Sequence, residues 1–178
     1  MSEVRLIVDH LKLDYKGPFE FNALIRLIQA FFKERGWDLK HDKDYEMNTK
    51  TGKQIEWQIN PWKRITDYVN YIPKIRILVE DMVKVEVIKD KKKVKVDNGR
   101  LIMTIDGFIV FDYFHKWDQH PFLMFLRTLW DRFIYKAYTE RFEQRLVYDM
   151  HHLYDRIEKF LNVYKHYRVV TKVPHFSR

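Results

Sequence analysis

Cysteine is absent from this sequence, and glycine and proline are scarce, with five residues each. Without cysteine the chain has no disulfide framework, no thiolate zinc site and no cysteine nucleophile. Its only serines are Ser2 and Ser177, and it contains no glycine-rich phosphate loop. These absences remove most routes to covalent catalysis and nucleotide hydrolysis, so the sequence predicts a protein that is not an enzyme.

Long hydrophobic runs are absent as well. A membrane-spanning helix needs roughly 20 consecutive apolar residues, and the strongest candidate, Pro121 to Trp130, is short and interrupted by Arg127. The first residues, MSEVRLIVDHLKLDY, alternate in polarity and lack the continuous apolar centre of a signal peptide. We therefore expect no membrane span and, given the lack of cysteine, a cytoplasmic location.

Positive charge is concentrated at the C-terminal end of the chain. Residues Lys159 to Arg178 contain five basic and no acidic residues, and so supply +5 of the net charge of +8. Residues 118–158 carry six basic and seven acidic residues. A chain of 178 residues with 46% apolar residues suits one domain. We predict a folded domain over residues 1–165, followed by a basic, aromatic tail over residues 166–178.

The first part of the chain indicates a strand and then a helix. Apolar and polar residues alternate from Val4 to Tyr15, but their phase shifts by one residue near His10, which indicates a bulge. Gly17-Pro18 is expected to end this strand. From Phe19 to Arg35 the apolar residues recur three and four apart, which predicts a helix capped by Gly36.

The middle of the chain indicates further strands. Asp38 to Trp62 has the pattern of a hairpin, and Lys74 to Ile88 alternates over its whole length except at Asp81, where a bulge is expected. Asn98-Gly99 is a preferred pair for a two-residue turn, and it precedes a last strand, Leu101 to Phe114. The sheet should therefore be antiparallel, with about six or seven strands.

After His120 the apolar period changes from two to 3.6, which predicts helices over residues 121–165. Six apolar residues there form a seam with alternating four- and three-residue spacing: Leu146, Met150, Leu153, Ile157, Phe160 and Tyr164. The seam suits packing on the chain's own sheet, and it equally suits a homodimer. We predict an α+β fold, a single antiparallel sheet covered by an N-terminal helix and long C-terminal helices.

The order strand, helix, about six antiparallel strands and long C-terminal helix resembles the helix-grip arrangement of START-like lipid- and polyketide-binding proteins. The resemblance covers residues 4–165 in topology and includes no sequence motif. It implies a ligand cavity between sheet and helix, lined by sheet residues with Phe122, Phe125, Leu129, Leu146 and Leu153. The large aromatic content, 16% of residues, favours a filled cavity.

Candidate metal and acid–base sites are poorly supported. On a helix, His151 or His152 shares a face with Asp155, which gives two metal ligands, but no third ligand follows at a known spacing. Several carboxylates lie near one another in sequence without a pattern that brings two together: Asp106, Asp112, Asp118 and Asp131. We predict no metal, no cofactor and no catalytic residue.

Basic residues form two more informative groups. One surrounds a predicted hairpin end: Lys89, Lys91, Lys92, Lys93, Lys95 and Arg100. The other lies in or next to the tail, with aromatic residues between the cations: Lys165, Tyr167, Arg168, Lys172, Phe176 and Arg178. Cations interleaved with aromatics are typical of surfaces that hold phosphates and stack bases. A run of lysines can also simply guard a sheet edge.

From this charge placement we predict a non-enzymatic protein that binds RNA or a ribonucleoprotein such as a ribosomal subunit. No signature of an RNA-recognition, KH or helix-turn-helix module is present. The alternatives are a small-ligand or lipid carrier with a helix-grip cavity, and an adaptor that acts through protein contacts. A basic end can also contact anionic lipid headgroups.

Overall fold

The computed structural model describes residues 3–49, 51–66, 69–89, 92–111, 135–165 and 169–172. These ranges contain seven strands and two helices: β1 Glu3–Phe19, α1 Phe21–Glu34, β2 Asp38–Thr49, β3 Gly52–Arg64, β4 Val69–Tyr71, β5 Lys74–Lys89, β6 Lys92–Phe111, α2 Tyr135–Lys165 and β7 Val169–Lys172. The predicted helical residues Phe122, Phe125 and Leu129 lie outside the described residues. Neither α1 nor α2 is long and apolar enough to cross a membrane.

The strands form one sheet in which every described pairing is antiparallel. β6 lies between β1 and β5, and β3 lies between β5 and β2. The short β4 pairs with both β3 and β6, and β5 also pairs with both of these strands. β7 pairs with the C-terminal half of β5, which is called its far half below. The sheet is partly barrel-like. The predicted α+β class and antiparallel sheet are confirmed.

Two residues with positive φ mark bulges in the sheet. The φ angle is 48° at His10 and 51° at Asp81. The register of β1 on β6 shifts twice before Leu11, and that of β5 on β6 shifts between Glu80 and Val83. A bulge adds one residue to one strand of a pair and so reverses the phase of the side chains that follow. Both bulges lie where the apolar pattern predicts them.

Asn98-Gly99 does not form a turn. The pair lies inside β6, which runs without a break from Lys92 to Phe111. The bulge of β5 passes so close that a Cβ atom on Gly99 would lie 2.7 Å from the carbonyl oxygen of Glu80. Glycine is therefore needed here for the close approach of two backbones, and the predicted hairpin at this position is wrong.

Gly17-Pro18 does not end β1 either. Pro18 lies opposite Asn98 in the ladder, and the strand continues to Phe19. Within the described residues β1 has a strand neighbour on one side only, β6. Proline lacks the N–H that a central strand needs, and an edge strand tolerates it. The helix consequently begins at Phe21, two residues later than predicted.

Residues of the sheet and of both helices together form the main hydrophobic core. Its largest fully buried aromatic members are Phe19, Phe31, Phe32, Tyr71 and Phe111. Trp37 stacks on Tyr71 with ring centroids 5.9 Å apart. The Tyr71 hydroxyl donates a 2.8 Å hydrogen bond to the carbonyl oxygen of Phe142 in α2, and burial raises the pKa of Tyr71. Large rings thus fill much of the core.

A second, smaller hydrophobic cluster lies beyond the bulge of β5. Val85, Val87 and Val96 are buried there with Tyr164, near the end of α2. Phe160 packs against both clusters. The far half of β5 and the first half of β6 therefore have hydrophobic support of their own, and this support positions the basic residues of these two segments.

Candidate nucleic-acid interface

Beyond the bulge, β5 and β6 continue as a ribbon, residues 83–89 and 92–98, that contains part of the predicted basic group. Its inner face carries the buried valines that pack against Tyr164. Because side chains alternate between the two faces of a strand, the intervening residues point outward. The outer face of the ribbon consists of Lys84, Glu86, Ile88, Lys93, Lys95 and Asp97.

Strand β7 brings part of the predicted tail to the same end of the sheet. Its residue Val169 lies opposite Val87 of the ribbon, and Lys172 lies opposite Val85. Lys165, the last residue of α2, is exposed just before it. Four residues of the predicted tail are therefore part of the sheet, next to the ribbon that carries part of the hairpin group.

The basic residues of the predicted hairpin group lie at different places along β5 and β6. Lys89 ends β5 opposite Lys92, which begins β6, and Lys93 and Lys95 are exposed. Arg100 lies beyond the ribbon, further along β6. The remaining predicted contact residues lie outside the described residues: Lys91, Tyr167, Arg168, Phe176 and Arg178.

Arg100 is committed to an ion-pair network rather than to a free basic surface. Its Nε and Nη2 donate to the two carboxylate oxygens of Asp14 at 3.1 and 2.6 Å, and its Nη1 lies 3.6 Å from a Glu80 oxygen. This bidentate contact lowers the pKa of Asp14. Arg100 is therefore paired with two carboxylates, and its contact with phosphate stays a prediction.

Carboxylates also oppose two of the three lysines on the outer face of the ribbon. Lys84 lies opposite Asp97, and Lys95 lies opposite Glu86. Lys93 lies opposite Ile88 and has no acidic residue across from it. Three lysines and two carboxylates leave this face a net charge of +1. Sequence reasoning missed Lys84, Glu86 and Asp97, which only the strand register connects to the predicted lysines.

The predicted dimer seam is used inside the chain. Leu146, Met150, Leu153 and Ile157 are fully buried in the main core, and Tyr164 is 9% exposed in the second cluster. A homodimer through this stripe would require α2 to leave the sheet of its own chain. The stripe therefore packs on the sheet of its own chain. A homodimer stays a prediction, with no surface assigned to it.

A polar cluster holds the bulge of β1. Asp106, only 3% exposed, accepts a 3.0 Å hydrogen bond from the backbone N–H of His10 and a 2.6 Å hydrogen bond from Nη2 of Arg76. The His10 ring hydrogen-bonds to the Asp9 carboxylate and has its Nδ1 3.5 Å from Asp106. Within the described residues, the side chains of Asp9, His10 and Asp106 lie close enough together to hold a cation. Arg76 already supplies a positive charge to this cluster.

The second potential metal group has a different role. Arg35 donates a 2.9 Å hydrogen bond to Nδ1 of His152, whose ring stacks on Tyr148 with centroids 6.0 Å apart. His151 and Asp155 are exposed. His152 therefore contributes to the packing of α2 against α1 and its C-terminal end.

The His10 cluster predicts a pH-dependent stability. Its hydrogen bond to Asp9, with the charge of Asp106, raises the pKa of His10 above its ordinary value, against a smaller opposing effect of Arg76. The folded state therefore favours the imidazolium. This contribution is complete below the ordinary histidine pKa of about 6.5 and is lost as pH rises through the raised value.

The comparison is between the wild type and His10→Asn, because asparagine tolerates positive φ. Urea unfolding at about pH 5.5 and about pH 8.5 should show a larger stability advantage of the wild type at the lower pH. An equal or smaller advantage at the lower pH would contradict the expected stabilisation of the imidazolium.

Comparisons with protein-family models, with curated proteins and with solved structures found no match for this chain. Its function is therefore inferred from its own residues and their geometry.

Proposed function

We propose that this protein is a non-enzymatic, cytoplasmic RNA-binding protein that contacts RNA, or a ribonucleoprotein such as a ribosomal subunit, through its ribbon and C-terminal segment. The observation that supports this proposal best is the pairing of β7 with β5. It joins two basic segments, far apart in sequence, at one end of the molecule. Lysines gathered in this way attract phosphate groups and release the counterions bound to them.

The charges elsewhere on the sheet support the same location. Lys43 pairs with Glu56 at 2.7 Å, and Arg76 pairs with Asp106 at 2.6 Å. These cations are neutralised locally, as Arg100 is. Lys93, in contrast, is exposed and has no carboxylate opposite it in the ladder, so the ribbon end keeps a cation that can contact phosphate.

Salt-dependent binding tests the proposal. The double variant Lys93→Gln/Lys95→Gln should weaken binding to a labelled single-stranded RNA homopolymer and reduce the log–log salt slope by about 0.7 to 1.4, since each full phosphate contact contributes about 0.7 and Lys95 has Glu86 opposite it. Fluorescence anisotropy between about 50 and 200 mM salt measures both quantities. The tail is better tested by Lys172→Gln than by deletion, because deletion of residues 166–178 also removes β7.

A matched control removes the same charge from a distant place. Lys12 on β1 and Lys40 on β2 are exposed, so Lys12→Gln/Lys40→Gln should leave binding close to that of the wild type. Absence of binding at low salt, or binding that does not respond to salt, would refute the proposal. A pull-down from native lysate with and without ribonuclease then identifies the RNA or the protein partner.

A helix-grip ligand carrier is the second candidate. This candidate is supported by α2, which packs into a core shared with the sheet. It is also supported by an open cleft of about 510 Å³ between β1 and α2, where Ile7, Val147 and Tyr148 lie beside polar residues of α2. In addition, the indole N–H of Trp37, a residue 4% exposed, has no hydrogen-bond partner among the residues that the structure describes, although buried donors normally have one. Native mass spectrometry tests this candidate, because a carrier should retain a small molecule.

A further inference from the structure

We propose that Glu86 limits the affinity of the ribbon for nucleic acid, and that the outer face of the ribbon contacts the phosphodiester backbone rather than the bases. This inference rests on the proposed RNA-binding function and concerns the same surface. It assigns a role to a carboxylate inside a basic region, where an acidic residue is unfavourable for binding phosphate.

The outer face is the surface of the ribbon that remains available. Most of the inner face is covered, because Val85, Val87 and Val96 pack against Tyr164, and only Val94 on this face is exposed among the described valines. The edge formed by β5 is occupied by β7. A ligand that approaches the described part of the ribbon broadside therefore meets its outer lysines and the carboxylates between them.

The register then shows what each lysine has as its neighbour. Directly opposite residues of an antiparallel pair have Cβ atoms about 4.5–5.5 Å apart, and Glu86 is opposite Lys95. At this distance the carboxylate attracts the ammonium group and repels an approaching phosphate. The attraction of Lys95 for a phosphate is therefore weakened by the negative charge of Glu86 beside it. Asp97 opposes Lys84 in the same way, but it also accepts a hydrogen bond from the backbone N–H of Phe21.

The side chains of the outer face favour contact with the backbone of the nucleic acid. Reading of single-stranded bases uses aromatic platforms on which the bases stack. The described outer face has no aromatic residue, and its one large apolar side chain is Ile88, which is 48% exposed. Lysine acts on phosphate as a point charge, without a preference for base sequence. Binding by this face should therefore depend on phosphate charge and be insensitive to base identity.

The experiment compares Glu86→Gln with Glu56→Gln. Both changes add one unit of net charge, and both remove the acidic member of a cross-strand pair with lysine, since Glu56 pairs with Lys43. Leu78, the partner of Glu56 on β5, precedes Glu86 on that strand by a distance of roughly 25 Å. The two variants thus differ mainly in position, which separates a local effect from an effect of total charge.

We expect Glu86→Gln to raise affinity for a single-stranded homopolymer about threefold at low salt, and to steepen the log–log salt slope by about 0.7, equivalent to one more phosphate contact. Glu86→Lys should raise affinity further, and Glu56→Gln should leave it unchanged. Poly(U), poly(A) and poly(C) should respond alike. Unfolding curves of each variant verify that it is folded before its affinity is compared.

Equal effects of Glu86→Gln and Glu56→Gln would overturn the inference while leaving RNA binding in place. A strong preference of the wild type for one homopolymer would overturn the backbone assignment. No binding of any homopolymer by the wild type at low salt would instead refute the proposed function, and the inference with it. Failure of the inference alone and failure of the proposed function are thus separate results.

Discussion

Replacement of Leu153 by glutamate is expected to unfold the protein. Leu153 is fully buried in the main core, between the neighbouring turns of α2 that carry Met150 and Ile157. A carboxylate at this position would lose its hydration without gaining a partner, at a cost of several kcal/mol. Since a domain of this size has a net stability of about 5–15 kcal/mol, most of the folded population should be lost.

The milder change Leu153→Ala should lower the free energy of unfolding by about 2–5 kcal/mol through lost burial and a cavity. Chemical denaturation followed by circular dichroism measures it. Val163 lies on the same helix and is 54% exposed, so Val163→Glu should change stability little and serves as the control. A folded, monomeric Leu153→Glu protein derived from a dimeric wild type would contradict the core assignment and establish an intermolecular seam.

The second large effect is expected at Gly99. A methyl group there would lie 2.7 Å from the carbonyl oxygen of Glu80 and 3.1 Å from Cα of Met82. Both obstacles are backbone atoms of the β5 bulge, so they cannot move aside as the end of a flexible side chain can. Gly99→Ala should therefore destabilise the protein by about 1–3 kcal/mol, and Gly99→Val by more.

Gly36 provides a contrast for this prediction. A Cβ atom at Gly36 would have no neighbour within 4 Å in the described part of the chain, and the φ angle of this residue is 67°. Gly36→Ala should thus cost about 1–2 kcal/mol, for backbone conformation alone. Hydrogen exchange separates the two mechanisms, because Gly99→Ala should accelerate exchange in residues 83–89 and 92–98 whereas Gly36→Ala should not. Unchanged exchange in the ribbon would refute the proposed clash at the bulge.

Local patterns were sufficient to predict those features of the fold that depend on periodicity. The side-chain period of two, interrupted near His10 and at Asp81, predicts two strands with bulges, and both are present. The three- and four-residue spacing likewise predicts α1 and the second half of α2. These signals are readable because each depends on residues that are close together in the sequence.

Features that depend on distant partners were not predictable in this way. Asn98-Gly99 has the composition of a turn, and only the bulge of β5 explains why a glycine stands inside β6. β4, with three residues, is too short to show a period. Asp106 and His10 are 96 residues apart. No sequence pattern predicts that the buried carboxylate of Asp106 accepts a hydrogen bond from the backbone N–H of His10.

The candidate interface was predicted in part for the same reason. The concentration of basic residues is a property of composition, and it indicated both segments correctly as basic. The partners of those residues depend on strand register, which composition does not give. Register places Glu86 opposite Lys95 and Asp97 opposite Lys84, and the pairing of β1 with β6 brings Asp14 to Arg100.

The position of β7 has a consequence for synthesis of the chain. β5 ends at Lys89, and the strand that pairs with its far half begins at Val169, 80 residues later. At about 5–20 residues per second, the ribosome needs roughly 4–16 s to add those residues. During that interval this part of β5 has an open hydrogen-bonding edge beside valines that still lack Tyr164, and such edges promote aggregation. Nascent chains stalled before Val169 should therefore be the species that most requires chaperones.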